Sequence, residues 1–131
     1  MKERWVCYGT GKMPTGVYEV IKVIQDCSGT EIVIESEEHR VVIKFGFVDA
    51  LRVSDEGRRI RTYNEITEVQ NYRKDFNGIP LYKVLNSEFY RWVVKESVGF
   101  YEDFTHYTII TKNDIIDVIS SYPPELLVEN L

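Results

Sequence analysis

Thr30-Glu31-Ile32-Val33-Ile34-Glu35-Ser36-Glu37-Glu38-His39-Arg40-Val41-Val42-Ile43-Lys44-Phe45 reads as two strands joined by a polar turn. Ile32 and Ile34 alternate with Glu31, Val33 and Glu35, the period-two pattern of a strand with one face turned to a core. Ser36 to His39 supplies the turn, and Arg40 to Phe45 the next strand. Upstream, Val17 to Gln25 is short and rich in Val, Ile and Tyr, which favours a strand over a helix. Asp26-Cys27-Ser28-Gly29 closes it. The three strands form an antiparallel meander.

Beyond the meander, Gly46 breaks or bulges the chain, and Phe47 to Val53 fits a further short strand. Asp55-Glu56-Gly57 is a turn, and Arg58 to Tyr63 reads as a strand with a basic face. Residues 64–79 are polar and read mostly as loop. Within them Glu65 to Tyr72 has apolar positions for no more than a helical turn or two. After the Asn77-Gly78 turn signal and Pro80, Leu81 to Leu85 is a strand. Ser87 is a helix N-cap with Glu88 in the first turn. Phe89, Trp92 and Val93 then recur at i, i+3 and i+4, with Gly99 as the stop. This predicts the principal helix at 88–97, with Trp92 as its core anchor. Thr105 to Thr111 and Ile115 to Ser120 form a hairpin around Lys112-Asn113-Asp114. Tyr122-Pro123-Pro124 ends the sheet, leaving Glu125 to Leu131 as a tail that frays or docks weakly. The expectation is an α+β fold: one domain, residues 1–131, with a mainly antiparallel curved sheet or half-barrel packed against one principal helix.

The composition supports an independent core. The chain has 131 residues, 44% of them hydrophobic, 28% charged and 13% aromatic, outside the range of disordered chains. Cys7 and Cys27 belong to no Cys-x-x-Cys pair. With a charged N-terminus, no apolar signal segment and no run long enough to cross a membrane, they are expected as reduced thiols of a cytoplasmic protein. Cys7, between Val6 and Tyr8, is expected to be buried.

Charge is unevenly distributed along the chain. The net charge is −5. Residues 96–131 hold seven acids (Glu96, Glu102, Asp103, Asp114, Asp117, Glu125 and Glu129) against Lys112, while residues 1–95 hold 15 bases and 14 acids. An acidic field repels nucleic-acid backbones and favours a basic protein partner.

Each chemical motif has a simpler reading beside it. Gly9-Thr10-Gly11-Lys12 is not a phosphate loop. Val6 stands where that motif needs its first glycine, and Met13 where it needs Ser or Thr. His39, in a turn, is expected to be solvated. His106, close after Asp103, suits either a general base or an ordering contact with that carboxylate. No spacing of His, Cys and carboxylates suggests a metal, no nucleophile elbow is present, and no cofactor is expected. Arg52, Arg58, Arg59 and Arg61 surround Asp55 and Glu56. They suit an acidic partner or the protein's own acidic end better than nucleic acid.

The stretch Leu81-Tyr82-Lys83-Val84-Leu85-Asn86-Ser87-Glu88-Phe89-Tyr90-Arg91-Trp92, together with His106 to Thr111 and Asn113 to Ile119, resembles small bacterial proteins of the immunity-protein kind. These neutralise a toxin by binding it. The resemblance covers the C-terminal half and assigns no role to any single residue. It implies a non-catalytic protein whose acidic surface masks a basic toxin. With nine Tyr and two Trp in the chain, residue types suited to interfaces, the leading expectation is a non-enzymatic protein-binding domain. Its expected contacts are Tyr101, Glu102, Asp103, Asp114 and Asp117. The alternatives are a small ligand-binding or enzymatic β-rich domain with His106 near a pocket, and a homo-oligomer subunit that pairs through an open strand edge.

Overall fold

The structure is a computed structural model that describes residues 2–75, 78–99 and 103–131. The described residues form two antiparallel sheets and three short α-helices. In chain order the strands are β1 (Arg4–Cys7), β2 (Glu19–Asp26), β3 (Gly29–Glu35), β4 (His39–Phe45), β5 (Ala50–Asp55), β6 (Leu81–Leu85), β7 (Thr105–Ile110), β8 (Asp114–Ser120) and β9 (Glu125–Asn130). The helices are α1 (Ile60–Glu65), α2 (Thr67–Asp75) and α3 (Glu88–Glu96), and a 3-10 turn at Glu56–Arg58 precedes α1. One sheet runs β2-β3-β4-β9 and the other β1-β6-β7-β8-β5. Among the described residues no helix is long and apolar enough to cross a membrane.

The meander is present as β2-β3-β4, with Ile32 opposite Ile43 and Ile34 opposite Val41. Those four side chains are fully buried, and they pack on Ile109, Ile116 and Val118 of the five-stranded sheet. The two sheets therefore face one another across the main core. The architecture is two sheets and a helical layer, in place of the single curved sheet with one principal helix that the sequence suggested. On the other side of the five-stranded sheet, α1 and α2 bury Tyr63, Ile66, Val69 and Tyr72 against Trp5, Ile110 and Ile115. α3 buries Phe89 and Val93 against Ile119. Strands β7 and β8 are thus covered on both faces, which explains why His106 to Ser120 is buried in every residue except Lys112, Asn113 and Asp114.

Four local expectations are corrected. Arg58 to Tyr63 is the end of a 3-10 turn and the start of α1, with Tyr63 of α1, Ile66 at the extended break after it, and Val69 and Tyr72 of α2 buried in one cluster. The tail is strand β9, with Leu126 opposite Ile43 and Val128 opposite Val41. Trp92 is 55% exposed, because the stripe α3 turns inward is Phe89 and Val93. Cys7 is exposed, as is Cys27, and both are free thiols. The side chain of Cys7 leaves the sheet and meets Thr10 Oγ1 at 3.0 Å.

Candidate functional site

The five-stranded sheet turns a polar seam toward the helices. Strand alternation puts His106 and Thr108 of β7, Asp117 of β8 and Arg52 of β5 on that face. Arg52 stands opposite Asp117, and Asp117 opposite Thr108. Ser87 arrives from the β6–α3 junction. There Asn86 takes a left-handed φ of 56° and turns the chain from strand into helix, a conformation Asn tolerates better than most residues. Ser87 then caps α3, its Oγ accepting from Tyr90 N at 2.9 Å.

These groups form one chain of hydrogen bonds. Ser87 Oγ lies 2.6 Å from His106 Nδ1, and His106 Nε2 lies 2.8 Å from Asp117 Oδ1. Asp117 Oδ2 accepts from Arg52 Nε at 2.9 Å and from Arg59 Nη1 at 2.7 Å. Ser87, His106 and Asp117 are all buried. Burial alone would raise the Asp117 pKa. The His106 hydrogen bond and the charges of Arg59 and Arg52 outweigh it and hold the carboxyl well below the usual range. The ionised carboxylate fixes the proton on Nε2. In the neutral ring Nδ1 then accepts the Ser87 hydroxyl proton, which leaves the Ser87 oxygen to receive the Tyr90 amide.

The order Ser–His–Asp is that of a nucleophile, a base and an orienting acid. Its surroundings fit a clamp better. Ser87 Oγ is occupied as a helix cap, and the outer carboxylate oxygen is held by two guanidiniums. Phe89 packs edge-on against the imidazole, with ring centres 5.6 Å apart. The chain joins α3 to β5, β7, β8 and the entry to α1. A notch of about 390 Å³ beside it is lined by Ser87, His106, Tyr90 and Phe104.

The predicted acidic contacts are scattered. Asp117 is fully buried in the seam and paired with Arg52 and Arg59, so it is not an exposed contact. Asp114 sits at the β7–β8 turn; its pKa is raised by burial and then by Asp55 and Glu56. Asp103 is exposed just before β7 and Glu96 ends α3, while Glu125 and Glu129 lie on β9 of the other sheet. Tyr101 and Glu102 lie outside the described residues. His106 bonds Asp117 where Asp103 was expected.

The clearest concentration of acid belongs to the meander. A groove of about 580 Å³ runs between the start of β2 and the β3–β4 turn. Glu19, Glu35, Glu37 and Glu38 line it, facing Lys112. Lys112 pairs with Glu19 at 3.9 Å, and Glu35 with Arg40 at 2.6 Å. His39 lines the same wall, and its Nδ1 is enclosed with no hydrogen-bond partner among the described residues. Val17 and Ile21 add exposed apolar surface. Sequence reasoning placed Ser36 to His39 in a turn and passed over it as a site. The available signal was Glu35, Glu37 and Glu38 bunched at one hairpin end. Among the described residues no group of three metal-ligating side chains converges.

Comparisons with protein-family models, with curated proteins and with solved structures each found no match.

Proposed function

We propose that this protein is a non-enzymatic binding domain that takes a basic segment of a partner protein into the acidic groove beside the β3–β4 turn. The observation that carries the reading is the lining of that groove: Glu19 is paired with Lys112 and Glu35 with Arg40, Glu37 and Glu38 carry the excess negative charge, and apolar Val17 and Ile21 lie at its side. A Lys or Arg side chain entering it gains charge-assisted hydrogen bonds, and the field speeds encounter. The resemblance of the C-terminal half to immunity-type inhibitors agrees with capture of a basic protein. The acids of the last third do not carry the reading, since they are dispersed and Asp117 is internally paired.

The test is titration with a fluorescent Lys/Arg-rich nonapeptide at low and high salt. Glu37→Lys combined with Glu38→Lys is expected to weaken binding by about tenfold or more, with a shallower salt dependence. Glu96→Lys combined with Asp103→Lys is the control and should leave binding near the original value. Equal losses from both pairs would reduce the effect to net charge and reject the groove.

A second reading rests on the notch beside Ser87 and His106: a small ligand or acyl group held there, with Ser87 as nucleophile and His106 as its base. A fluorophosphonate probe separates the two readings. Covalent labelling at Ser87, lost in Ser87→Ala, supports the second; an unlabelled protein supports the first.

A further inference from the structure

We infer that two copies of this chain pair antiparallel through the open edge of β5, about a two-fold axis at Val53, so that their five-stranded sheets become continuous. The contact uses none of the residues of the acidic groove and does not depend on it.

The bonding pattern of β5 shows which groups are open. Glu56 N donates to Asn113 O at 2.8 Å, one step past the pairing of Asp55 with Asp114. Hydrogen-bonded and unbonded pairs alternate along an antiparallel ladder. Arg52 and Ser54 therefore bond to β8. The N–H groups of Val53 and Asp55 point the other way, to an edge that no strand takes among the described residues. A two-fold axis through the sheet sets residues of one face opposite each other. Centred on Arg52, it opposes two arginines, which destabilises the pair. Centred on Val53, it joins two side chains that are each 52% exposed and sets Arg52 against the partner's Ser54. Val53 N–H and C=O then bond to the partner's Val53, and Asp55 N–H to the carbonyl of the partner's Leu51.

The other sheet edges suit a copy less well. β1 has four residues, and β2 has a register shift between Val20 and Lys22. β9 carries Glu125 and Glu129 on one face, so a copy beside it doubles the carboxylates there. Short length, bulges and edge charge are the usual ways of blocking strand addition. β5 has six residues, no register shift, and two charges of opposite sign, Arg52 and Asp55.

The surroundings of the edge fit a self-contact. Arg52 and Arg59 share Asp117, and Glu88 meets Arg61. Charges of both signs are thus interspersed and select neither a basic nor an acidic segment. A surface without one dominant sign does not repel its own copy. A groove of about 740 Å³ beside β5 is lined by Ala50, Arg52, Phe89 and Trp92. Trp92 is 55% exposed and stacks on Phe89 with ring centres 6.0 Å apart. A strand added at the edge extends the groove floor and takes Trp92 surface from water. Tryptophan is among the residue types that contribute most at interfaces.

The test is sedimentation equilibrium of the full chain across a dilution series, with amide hydrogen exchange measured at both ends of it. The expected result is a monomer–dimer equilibrium. The Val53 and Asp55 amides slow as the dimer forms, while those of Arg52 and Ser54 stay protected throughout. Val53→Lys is expected to weaken dimerisation by about tenfold or more. Val53 is exposed, so this variant keeps its fold, as thermal unfolding at the dilute end checks. Trp92→Ala weakens the dimer in the same direction, and Glu37→Lys with Glu38→Lys leaves it unchanged. A monomer at every concentration up to about 1 mM, a dimer unaffected by Val53→Lys, or protection gained only away from Val53 and Asp55 would each overturn the inference.

Discussion

On the helix side of the five-stranded sheet, Asp117 is buried and its charge is met by His106, Arg52 and Arg59. On the outer face of the four-stranded sheet, Glu31 meets Lys44 at 3.6 Å, and Arg40 meets Glu35 and Glu129 at 2.6 and 3.8 Å, with every partner partly in water. The two faces contain the same kinds of pair in different solvents. A buried carboxylate must keep all its partners, because the medium offers no replacement. A surface carboxylate loses a partner and regains water. Asp117 therefore belongs to the fold, and charge available to a second molecule lies elsewhere, chiefly around Glu37 and Glu38.

Mutations that break this contrast differ in size. Asp117→Asn takes the anion from mostly buried Arg59 and part-exposed Arg52 and the acceptor carboxylate from His106 Nε2, and should cost about 3–5 kcal/mol in urea unfolding. The pH dependence carries the same information. Because the folded Asp117 pKa lies below its unfolded value, its stabilisation is complete above about pH 4 and is lost as pH falls toward the folded pKa. Asp117→Asn should therefore flatten the acid limb of the stability curve. Ser87→Ala removes a helix cap and leaves His106 Nδ1 unpaired, an expected loss of about 2 kcal/mol. Hydrogen exchange should show that loss first in α3. Arg40→Ala on the open sheet should cost less than about 1 kcal/mol and lose most of its effect in about 1 M salt. The smallest change tests the seam with opposite sign. Thr108 Oγ1 is buried without a hydrogen-bond partner among the described residues, so Thr108→Val should be neutral or stabilising by about 0.5 kcal/mol in thermal unfolding.

The elements that were readable from sequence are those whose signals are local. The meander follows from alternation at Ile32, Ile34 and Glu35, and α3 follows from Ser87 and the Phe89–Val93 spacing. Strands β1 and β9 were hidden because their partners lie far away in sequence: Trp5 pairs with Val84, and Leu126 with Ile43. Pro123-Pro124 also looked like an ending when it is a crossing between sheets. The helices after Arg58 were hidden by polar residues on their outer face. The seam was nearly legible. The observed hairpin closes on Thr111 and Asp114, so Thr108 faces Asp117 and His106 faces Ile119. A turn one residue longer, as the sequence suggested with Lys112-Asn113-Asp114, shifts every pairing by one and puts Asp117 beside the wrong neighbours. Two of the arginines suspected of meeting the protein's own acidic end, Arg52 and Arg59, do so. Which acid they would meet depended on a register that composition does not encode.

A pH titration of the side-chain carboxyl carbons by NMR tests most directly whether Asp117 is spent inside the molecule. The Asp117 signal should stay at its ionised position to a pH well below the usual carboxylate range. An Asp117 inflection near the ordinary aspartate value of about 4 would mean that its carboxylate is solvated, and would contradict the buried seam on which this account of the molecule's charge rests.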